Sequence, residues 1–356
     1  MRVALIGPPQ SGKSTLFAAV AEAGGSHVDL SRGDQPHMAV VKVPDARLAV
    51  LAEHFKPEKI VPAELEFLDL PGMDLRDDAG RNRARTHWAA MRQSDMLVFV
   101  VRAFAGDTVA AYRDRVDAEA DVRELLDEML FADLDQVVHR IEKLQTALKK
   151  PTGDHKDQQR ELDLMQRLEA ALENEQPISA AVGNDAEDKL IRSFAFLSQK
   201  PMLVVVNCSE DAIGPGGPET VGSLPALHLS AQIEEEIAQL DADERTEFLA
   251  DLGVDSPARD RLIRACYDAL GLVSFLTYGE DEVRAWTVPD GTQAVEAAGE
   301  IHSDIARGFI RAETVAYDDF IAAGDMKSAK AAGKVRLEGK TYVVRDGDMI
   351  TYRFNV

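Results

Sequence analysis

Residues 7–14 of the sequence read GPPQSGKS, and this spacing satisfies the phosphate-binding pattern G-x-x-x-x-G-K-[ST]. The glycines let backbone N–H groups approach phosphate oxygens, and the N-terminus of a following helix adds positive potential. Lys13 is predicted to reach the β- and γ-phosphates and to stabilise transition-state charge, and the Ser14 hydroxyl is predicted to ligate Mg²⁺. The first chemistry indicated is therefore the binding of a nucleoside triphosphate with magnesium.

A second motif, D-x-x-G, is formed by Asp69 and Gly72 at the end of the apolar stretch ELEFLD. An Asp in this place holds Mg²⁺, usually through water, and the glycine N–H meets the γ-phosphate. Met73 follows, where Ras-type GTPases carry the Gln that orients the attacking water. A thioether cannot do that, so we expect slow intrinsic turnover and assign no side chain as the catalytic base. His87 is more typical of a helix face than of a catalytic group.

The stretch VVVNCSED, residues 204–211, raises the question of which base is bound. Asn207 ends an apolar run, and Glu210 stands where guanine readers carry the Asp of Asn-Lys-x-Asp. Glu is one methylene longer, and Ser209 cannot cover a base as Lys would, so guanine should lose its main discriminating contact. Adenine offers a 6-amino donor and an N1 acceptor, which backbone groups and Asn207 could meet. The chemistry alone indicates weak guanine binding and does not prove adenine.

Downstream, residues 230–232 read SAQ before a helical pattern, which completes the order of motifs found in GTPase-like G domains. Four motifs in this order are much more specific than any one of them. Metal is expected at Ser14 and Asp69. The residues predicted to bind nucleotide are Gly7, Gln10, Ser11, Gly12, Lys13, Ser14, Thr15, Gly72, Asn207, Cys208, Glu210, Ser230, Ala231 and Gln232.

The elements that must position these residues are also visible in the sequence. MRVALI, ELEFLD and MLVVVN are continuous apolar runs, as strands of a buried parallel sheet are. Residues 116–194 repeat apolar residues at helical spacing, interrupted by KKPTGDHKD, which predicts two long helices joined by a turn. Such a pair either only packs or serves as a binding arm, and both interpretations stay open. From residue 273 onward, short strands surround a helix.

Composition excludes several classes of protein. The 356 residues are 45% hydrophobic and 29% charged, with a formal net charge of −22. An acidic chain is not suited to coating bare nucleic acid, so free DNA is not an expected partner. No apolar run reaches ~18 residues, so no membrane contact is expected. Two cysteines, Cys208 and Cys266, are too few for a disulfide scaffold and favour a reducing cytosol. A cytoplasmic enzyme or switch fits these observations.

The whole chain resembles the YchF-type, Obg-like ATPase family. The resemblance is densest in FLADLGV, in EVRAWTVPDGTQAVEAAGEIHSDIARGFIRAETVAYDDFIAAG and in AGKVRLEGKTYVVRDGDMITYRFNV, and it extends to VPDARL, VVRAF and FADLD. It implies an α/β fold. The expected architecture is a P-loop G domain (1–115 and 195–272) with a helical coiled-coil insertion (116–194), plus a C-terminal α+β ubiquitin-like (β-grasp) TGS domain (273–356).

The resemblance also implies a function. In this family N-x-x-E replaces N-K-x-D and ATP is preferred to GTP, and NCSE has that form. The family carries a hydrophobic residue in place of the catalytic Gln, and Met73 is such a residue at that position in this chain. Its members associate with ribosomes, so a ribosome or ribosomal subunit is an implied partner.

Three departures from the family pattern lie near the γ-phosphate. Gln10 replaces an Asn that helps to bind a monovalent cation, which puts a potassium requirement in doubt. Gly33 stands about where a Mg²⁺-binding Thr is expected, with Ser31 as a nearby hydroxyl. The stretch MDLRDDAG lacks the family's glycine-containing basic pattern. Three hypotheses therefore remain: a slow ribosome-associated ATPase, a nucleotide-dependent binding module with little hydrolysis, and a GTPase with a relaxed base pocket.

Overall fold

The computed structural model describes residues 1–23, 28, 33, 35–106, 110–150, 155–210 and 218–355. The chain divides into two compact units. The first comprises Met1–Glu22, His27–Ala39 and Phe67–Phe248, and the second comprises Ala23–Ser26, Val40–Glu66 and Leu249–Val356. In the described ranges, no helix has both the length and the apolar character needed to cross a membrane.

Strands and helices alternate through most of the chain. The strands are β1 (Arg2–Ile6), β2 (His37–Lys42), β3 (Lys59–Val61), β4 (Glu64–Asp69), β5 (Met96–Arg102), β6 (Met202–Asn207), β7 (Thr220–Val221), β8 (Leu224–Leu229), β9 (Leu272–Thr277), β10 (Glu282–Pro289), β11 (Phe309–Ala316), β12 (Arg336–Glu338) and β13 (Asp348–Phe354).

The helices vary in length from one turn to more than eight turns. They are α1 (Lys13–Ala23), α2 (Ala46–Phe55), α3 (Asp78–Arg85), α4 (Trp88–Gln93), α5 (Ala118–Leu148), α6 (His155–Glu173), α7 (Ile178–Ala181), α8 (Asp185–Ile191), α9 (Ala231–Gln239), α10 (Ala242–Asp251), α11 (Ala258–Ala269), α12 (Ala294–Ile301), α13 (Ser303–Arg307), α14 (Tyr317–Ala323) and α15 (Met326–Ala331).

A seven-stranded sheet has the strand order β2-β4-β1-β5-β6-β8-β7. Strand β1 pairs in parallel with β5, β5 with β6, and β6 with β8, whereas β7 pairs antiparallel with β8. The sequence of β5, MLVFVVR, is buried at every position, as expected for a central parallel strand covered on both faces. Because the carboxyl ends of parallel strands meet at one edge of a sheet, the residues that follow β1, β6 and β8 are brought together there.

Helices α5 and α6 form a pair with its own hydrophobic core. Helix α5 is capped by Asp117, whose carboxylate accepts a hydrogen bond from Ala120 N at 3.0 Å. Glu161 accepts two hydrogen bonds from Arg140, at 2.7 and 2.8 Å. The core between and around the two helices contains Val137, Ile141, Leu144, Leu162, Met165 and Leu168.

Asp133, at the middle of α5, connects this helix to the segment that precedes β6. Its buried carboxylate accepts hydrogen bonds from Leu197 N at 3.0 Å, from Ser198 N at 2.7 Å and from Ser198 Oγ at 2.8 Å. Arg92 adds a charged donor at 3.1 Å. A fully buried carboxylate is tolerable only with such a set of donors, so this cluster fixes where the helical pair leaves the sheet.

The second unit contains a six-stranded sheet in the order β12-β11-β13-β9-β10-β3. Strand β11 pairs antiparallel with β12 and β13, and β9 pairs antiparallel with β10. Helix α12 contributes Ala294, Ala297 and Ala298 to its core. Strand β3 pairs in parallel with β10, and residues Val40–Glu66 accordingly group with this unit, although the sequence places them in the range expected for the G domain.

Candidate functional site: a phosphate-binding loop and two adjoining cavities

The loop between β1 and α1 is held closely against the sheet. A Cβ added to Gly7 would lie 2.2 Å from the carbonyl oxygen of Val100 in β5. Gly12 has a φ of +85°, and a Cβ there would lie 2.0 Å from Asn207 Nδ2. Gln10 also has a positive φ, 62°. Glycine is therefore required at both ends of the loop, by close approach at Gly7 and by approach and backbone conformation at Gly12.

Lys13, Ser14 and Asp69 meet at the start of α1. Lys13 Nζ lies 2.5 Å from Asp69 Oδ1, and the Ser14 hydroxyl donates to Asp69 Oδ2 at 2.8 Å. The lysine and aspartate side chains are 5% and 4% exposed. The buried Ser11 hydroxyl, in the same loop, makes no hydrogen bond to the described residues. One ammonium group, one hydroxyl and one carboxylate thus converge where phosphate and a hard cation would bind.

Gly72 and Met73 follow Asp69 along the chain and lie beside the loop. A Cβ on Gly72 would lie 2.9 Å from Pro9 Cα, and Met73 N donates to the carbonyl oxygen of Gly7 at 2.9 Å. The Met73 side chain is 1% exposed and packs in the core with Leu97 and Phe99. Its thioether is therefore turned into the core and takes no part in the cavity wall.

A cavity of about 620 Å³ lies over the phosphate-binding loop. Its volume is typical of small-molecule sites. Sequence reasoning named the loop residues and Gly72 in its wall, but it missed most of the opposite wall. The residues of that wall are Gly33, Pro71, Asp74, Gly80, Arg83, Ala84, Thr86 and His87.

His87 is half-buried in this wall. Burial lowers the pKa of its imidazole, and the charge of Lys13 lowers that pKa further. The sequence signal was weak because a lone histidine in a helical pattern does not reveal which way it faces. Gly33 also lines the cavity and has nothing within 4 Å of a Cβ position among the described atoms, whereas Ser31 lies outside the described residues.

A second cavity of about 530 Å³ shares Gly12 and Thr15 with the first. It brings together Asn207, Cys208, Glu210 and the three residues 230–232, all of which sequence reasoning selected as base-reading residues. The wall also contains residues that sequence reasoning did not select for base binding: Phe104, Ala105, Ser209, Glu235, Glu236 and Gln239.

The Asn207 side chain hydrogen-bonds to two loops, the phosphate-binding loop and the loop that begins α9. Its Nδ2 donates to the Ser11 carbonyl oxygen at 2.9 Å, and its Oδ1 accepts from Ala231 N at 2.9 Å. The side chain is buried. Ser230 caps helix α9 by accepting from Ile233 N at 3.4 Å. The Asn207 amide therefore fixes the phosphate-binding loop against the loop that begins α9.

Cys208 is held by a backbone hydrogen bond, and its thiol is buried. Its backbone N donates to the carbonyl oxygen of Leu229 at 2.8 Å. The thiol lies 3.4 Å from the Val206 carbonyl oxygen and 3.6 Å from His228 Nδ1. Burial raises the pKa of this thiol, which lowers the fraction of reactive thiolate at neutral pH.

Replacing Gly12 with alanine is expected to lower the free energy of unfolding by about 2–3 kcal/mol and to weaken nucleotide binding. The new Cβ would overlap Asn207 and would also strain a left-handed residue. Gly222→Ala is the matched control, since Gly222 has a φ of +59° but no described atom within 4 Å of its Cβ position. In urea unfolding, the control should lose only about 1 kcal/mol of the free energy of unfolding. Equal losses in the two variants would contradict the overlap with Asn207.

Two family models match the chain. Residues 2–150 match MMR_HSR1, described as "50S ribosome-binding GTPase". Residues 272–355 match YchF-GTPase_C, described as "Protein of unknown function (DUF933)".

Relatives align with almost the whole chain. The "Ribosome-binding ATPase YchF" of Bacillus subtilis (strain 168) is 40% identical, over 99% of this chain and 98% of the relative. The protein of the same name from Escherichia coli O157:H7 is 36% identical over the same shares. "Obg-like ATPase 1" of Caenorhabditis elegans is 33% identical, over 100% of this chain and 92% of the relative.

Two solved structures share the architecture. The Schizosaccharomyces pombe YchF GTPase superposes with a TM-score of 0.86 at 28% identity, over 99% of this chain and 97% of that one. A GTP-binding protein from Pyrococcus horikoshii OT3 gives a TM-score of 0.61 at 17% identity over the full length of both chains, which shows a common fold alone.

Proposed function

Since the chain belongs to the YchF family of Obg-like ATPases, we propose that it is a slow ATPase switch that prefers ATP to GTP and associates with the ribosome. One observation carries the proposal: Lys13 and Ser14 both bond to Asp69 and line a cavity that shares Gly12 and Thr15 with a second cavity, where the predicted base-reading loops lie. The reaction is in-line attack of water on the γ-phosphorus of ATP, with ADP as the leaving group.

The loop residues bind and orient the triphosphate. The backbone N–H groups of residues 10–15 face the phosphates at the start of α1, where the helix N-terminus favours negative charge. The Lys13 ammonium neutralises charge that develops on the β- and γ-phosphate oxygens. Gly72, held against Pro9, keeps the following loop beside the γ-phosphate, so that this loop can respond to hydrolysis.

Ser14 and Asp69 suit magnesium, because a hydroxyl and a carboxylate are oxygen ligands and Mg²⁺ prefers oxygen. When bound, Mg²⁺ supplies neutralising charge to the β- and γ-phosphates. No group of three or more His, Cys, Asp or Glu side chains forms a metal site in the described part of the chain. Ser14 and Asp69 would therefore hold the ion together with the phosphates. Gln10 replaces the asparagine expected at the monovalent-cation position, so we do not propose a potassium requirement.

The preference for adenine rests on the family's N-x-x-E motif, because the carboxylates of the second cavity would accept from the N1–H and 2-amino groups of guanine as well as from the 6-amino group of adenine. Glu210, Glu235 and Glu236 bring carboxylates to its wall, and ionised carboxylates only accept hydrogen bonds. The 6-amino group of adenine is a donor at a position where guanine carries an acceptor oxygen. The polar atoms of Asn207 are both engaged by the protein, so base preference falls to the loop carboxylates and to backbone groups.

The finer architecture is also part of the proposal. We assign 1–115 and 195–272 to the G domain, 116–194 to a coiled-coil insertion and 273–356 to a ubiquitin-like TGS domain, although Val40–Glu66 and the chain from Leu249 onward group with the second compact unit. The packed core of α5 and α6 supports the insertion, and the mixed six-stranded sheet with α12 supports the TGS domain. The relatives are described as ribosome-binding, and we assign this contact to the helical pair.

A second candidate function is a nucleotide-dependent binding module that scarcely hydrolyses ATP. The burial of Met73 favours it, because the position that carries the water-orienting Gln in Ras-type proteins contributes nothing to the cavity. Unchanged ATP after long incubation with protein and ribosomes would support this alternative, whereas multiple turnovers would exclude it.

Equilibrium competition tests the nucleotide preference. A fluorescent ATP analogue with Mg²⁺ is titrated with the protein and then displaced by unlabelled ATP or GTP. We expect ATP to displace it at least ~10-fold better, a difference of about 1.4 kcal/mol. Better displacement by GTP would contradict the ATPase assignment and favour a GTPase with a relaxed base pocket.

A further inference from the structure

We propose that the His87 side chain positions the water that attacks the γ-phosphate. This inference rests on the proposed ATP hydrolysis and names a residue for a role that Met73 cannot fill. The backbone of Met73 is fixed by its hydrogen bond to the Gly7 carbonyl, and its side chain is buried in the core. A polar group from another part of the cavity wall must therefore meet the water.

The polar groups that follow Gly72 in the wall are not equally available. Both carboxylate oxygens of Asp74 accept hydrogen bonds from Arg76, at 2.9 and 2.7 Å. The Thr86 hydroxyl donates to the Arg83 carbonyl oxygen at 2.6 Å. Arg83 offers donors only, so it can stabilise phosphate charge but cannot accept a proton of the water. The Asp74 and Thr86 oxygens can each accept a further hydrogen bond, but His87 is the side-chain acceptor on this side that no described residue engages, and we therefore assign the water to it.

The backbone of His87 is held in place, whereas its ring is not engaged by the described residues. Its backbone N donates to the Ala84 carbonyl at 2.9 Å, and its carbonyl accepts from Met91 N at 3.0 Å, at the start of α4. Among the described residues, no group hydrogen-bonds to the ring. Burial and the nearby charge of Lys13 both lower the pKa of the imidazole. Both influences favour the neutral imidazole, which has one acceptor nitrogen as well as one N–H donor.

The role follows from that acceptor nitrogen. The water donates one hydrogen bond to the imidazole, and its oxygen forms a bond to the γ-phosphorus. The bond from the γ-phosphorus to the β–γ bridging oxygen breaks, and its electron pair stays on ADP. The proton lost by the water passes to a γ-phosphate oxygen, so that inorganic phosphate is released and His87 ends unchanged.

The test compares two replacements of similar size, His87→Gln and His87→Leu, because only glutamine accepts a hydrogen bond. We expect single-turnover ATP hydrolysis to fall by about 10²-fold in His87→Leu. We expect His87→Gln to retain at least a tenth of the rate. The affinity for a fluorescent ATP analogue should change less than twofold in either variant. His302→Ala, which replaces an exposed histidine before α13, is the control that should leave hydrolysis unchanged.

Equal hydrolysis by the Gln and Leu variants overturns the proposal. So does a loss of rate in Gln10→Ala without a loss in His87→Leu, since the water would then be held by the phosphate-binding loop. If His87→Leu does not fold, His87→Ala takes its place beside His87→Gln. Lys13→Ala is measured in parallel: if hydrolysis does not depend on Lys13, the proposed ATPase function fails and the role of His87 fails with it. If hydrolysis depends on Lys13 but the Gln and Leu variants have equal rates, the proposed role of His87 fails and the ATPase function stands.

Discussion

Lys13→Ala should lower the rate of ATP hydrolysis by about 10³-fold, the upper part of the range for one lost transition-state donor. Lys13 is the phosphate-loop cation next to Asp69 and Ser14, and the other groups in that corner cannot supply a positive charge. Single-turnover hydrolysis of ATP is the measurement. Lys189→Ala, which removes an exposed lysine on α8, is the control and should hydrolyse ATP at the unsubstituted rate.

The same substitution is expected to destabilise the fold. Lys13 and Asp69 are both nearly fully buried, so removing the lysine leaves a buried carboxylate with only the Ser14 hydroxyl. Breaking one side of such a pair costs about 3–5 kcal/mol. The double variant Lys13→Ala/Asp69→Asn should recover part of that loss in urea unfolding without recovering hydrolysis. Equal stability of Lys13→Ala and the unsubstituted protein would show that the pair is not retained in solution.

Asn207→Ala is expected to lower the free energy of unfolding by about 2–5 kcal/mol and the ATP affinity by at least ~10-fold. It leaves the Ser11 carbonyl and the Ala231 N–H buried without partners, and each such group costs about 1–3 kcal/mol. It also releases the phosphate-binding loop from the loop that begins α9. Urea unfolding and nucleotide titration measure the two effects.

Asn207→Asp should make stability depend on pH. The carboxylate would still accept from Ala231 N but would face the Ser11 carbonyl oxygen, to which only a protonated acid can donate. Burial beside an acceptor raises the folded-state pKa above the ordinary ~3.9, so stability should be highest at low pH and be lost as pH rises through the folded-state pKa. The free energy of unfolding of this variant is compared with that of the unsubstituted protein between pH 5 and pH 8, outside the acid transition. A difference that does not change with pH would contradict this prediction.

Asn184→Ala is a matched control for both asparagine variants. Asn184 caps helix α8 by accepting from Ala186 N and Glu187 N, at 3.0 and 3.1 Å, on the surface. Its loss should cost about 1 kcal/mol and leave nucleotide affinity unchanged. A similar loss of affinity in this variant would mean that general destabilisation, and not the brace at Asn207, lowers binding.

The sequence alone was sufficient where function depends on local pattern. GPPQSGKS, the D-x-x-G motif and the C-terminal stretches indicated the family, and the relatives confirm it. The local apolar runs also predicted β1, β4 and β6, which lie in one sheet. These signals are strong because each depends on residues that are adjacent in the chain.

Contacts between distant segments could not be predicted in the same way. No local signal pairs β3 with β10, more than two hundred residues away. Asn207 could be recognised as a base-loop residue, but its bonds to Ser11 and Ala231 are set by the order of strands in the sheet. His87 was predicted to lie on a helix face, which is wrong, because it lies in the turn between α3 and α4. Only the path of the chain after Gly72 brings that turn to the cavity.

The anchoring of α5 at Asp133 has a consequence for how such proteins can diverge. The hydrogen bonds to Leu197 and Ser198 lie where α6 begins to pack along α5, whereas the core of the pair from Val137 onward is separate from the core that contains Met73, Leu97 and Phe99. Insertions or deletions in whole helical turns beyond this point would alter the reach of the pair and leave the chemistry intact. Selection for a new docking distance and selection for ATP turnover can therefore act on different residues of one chain.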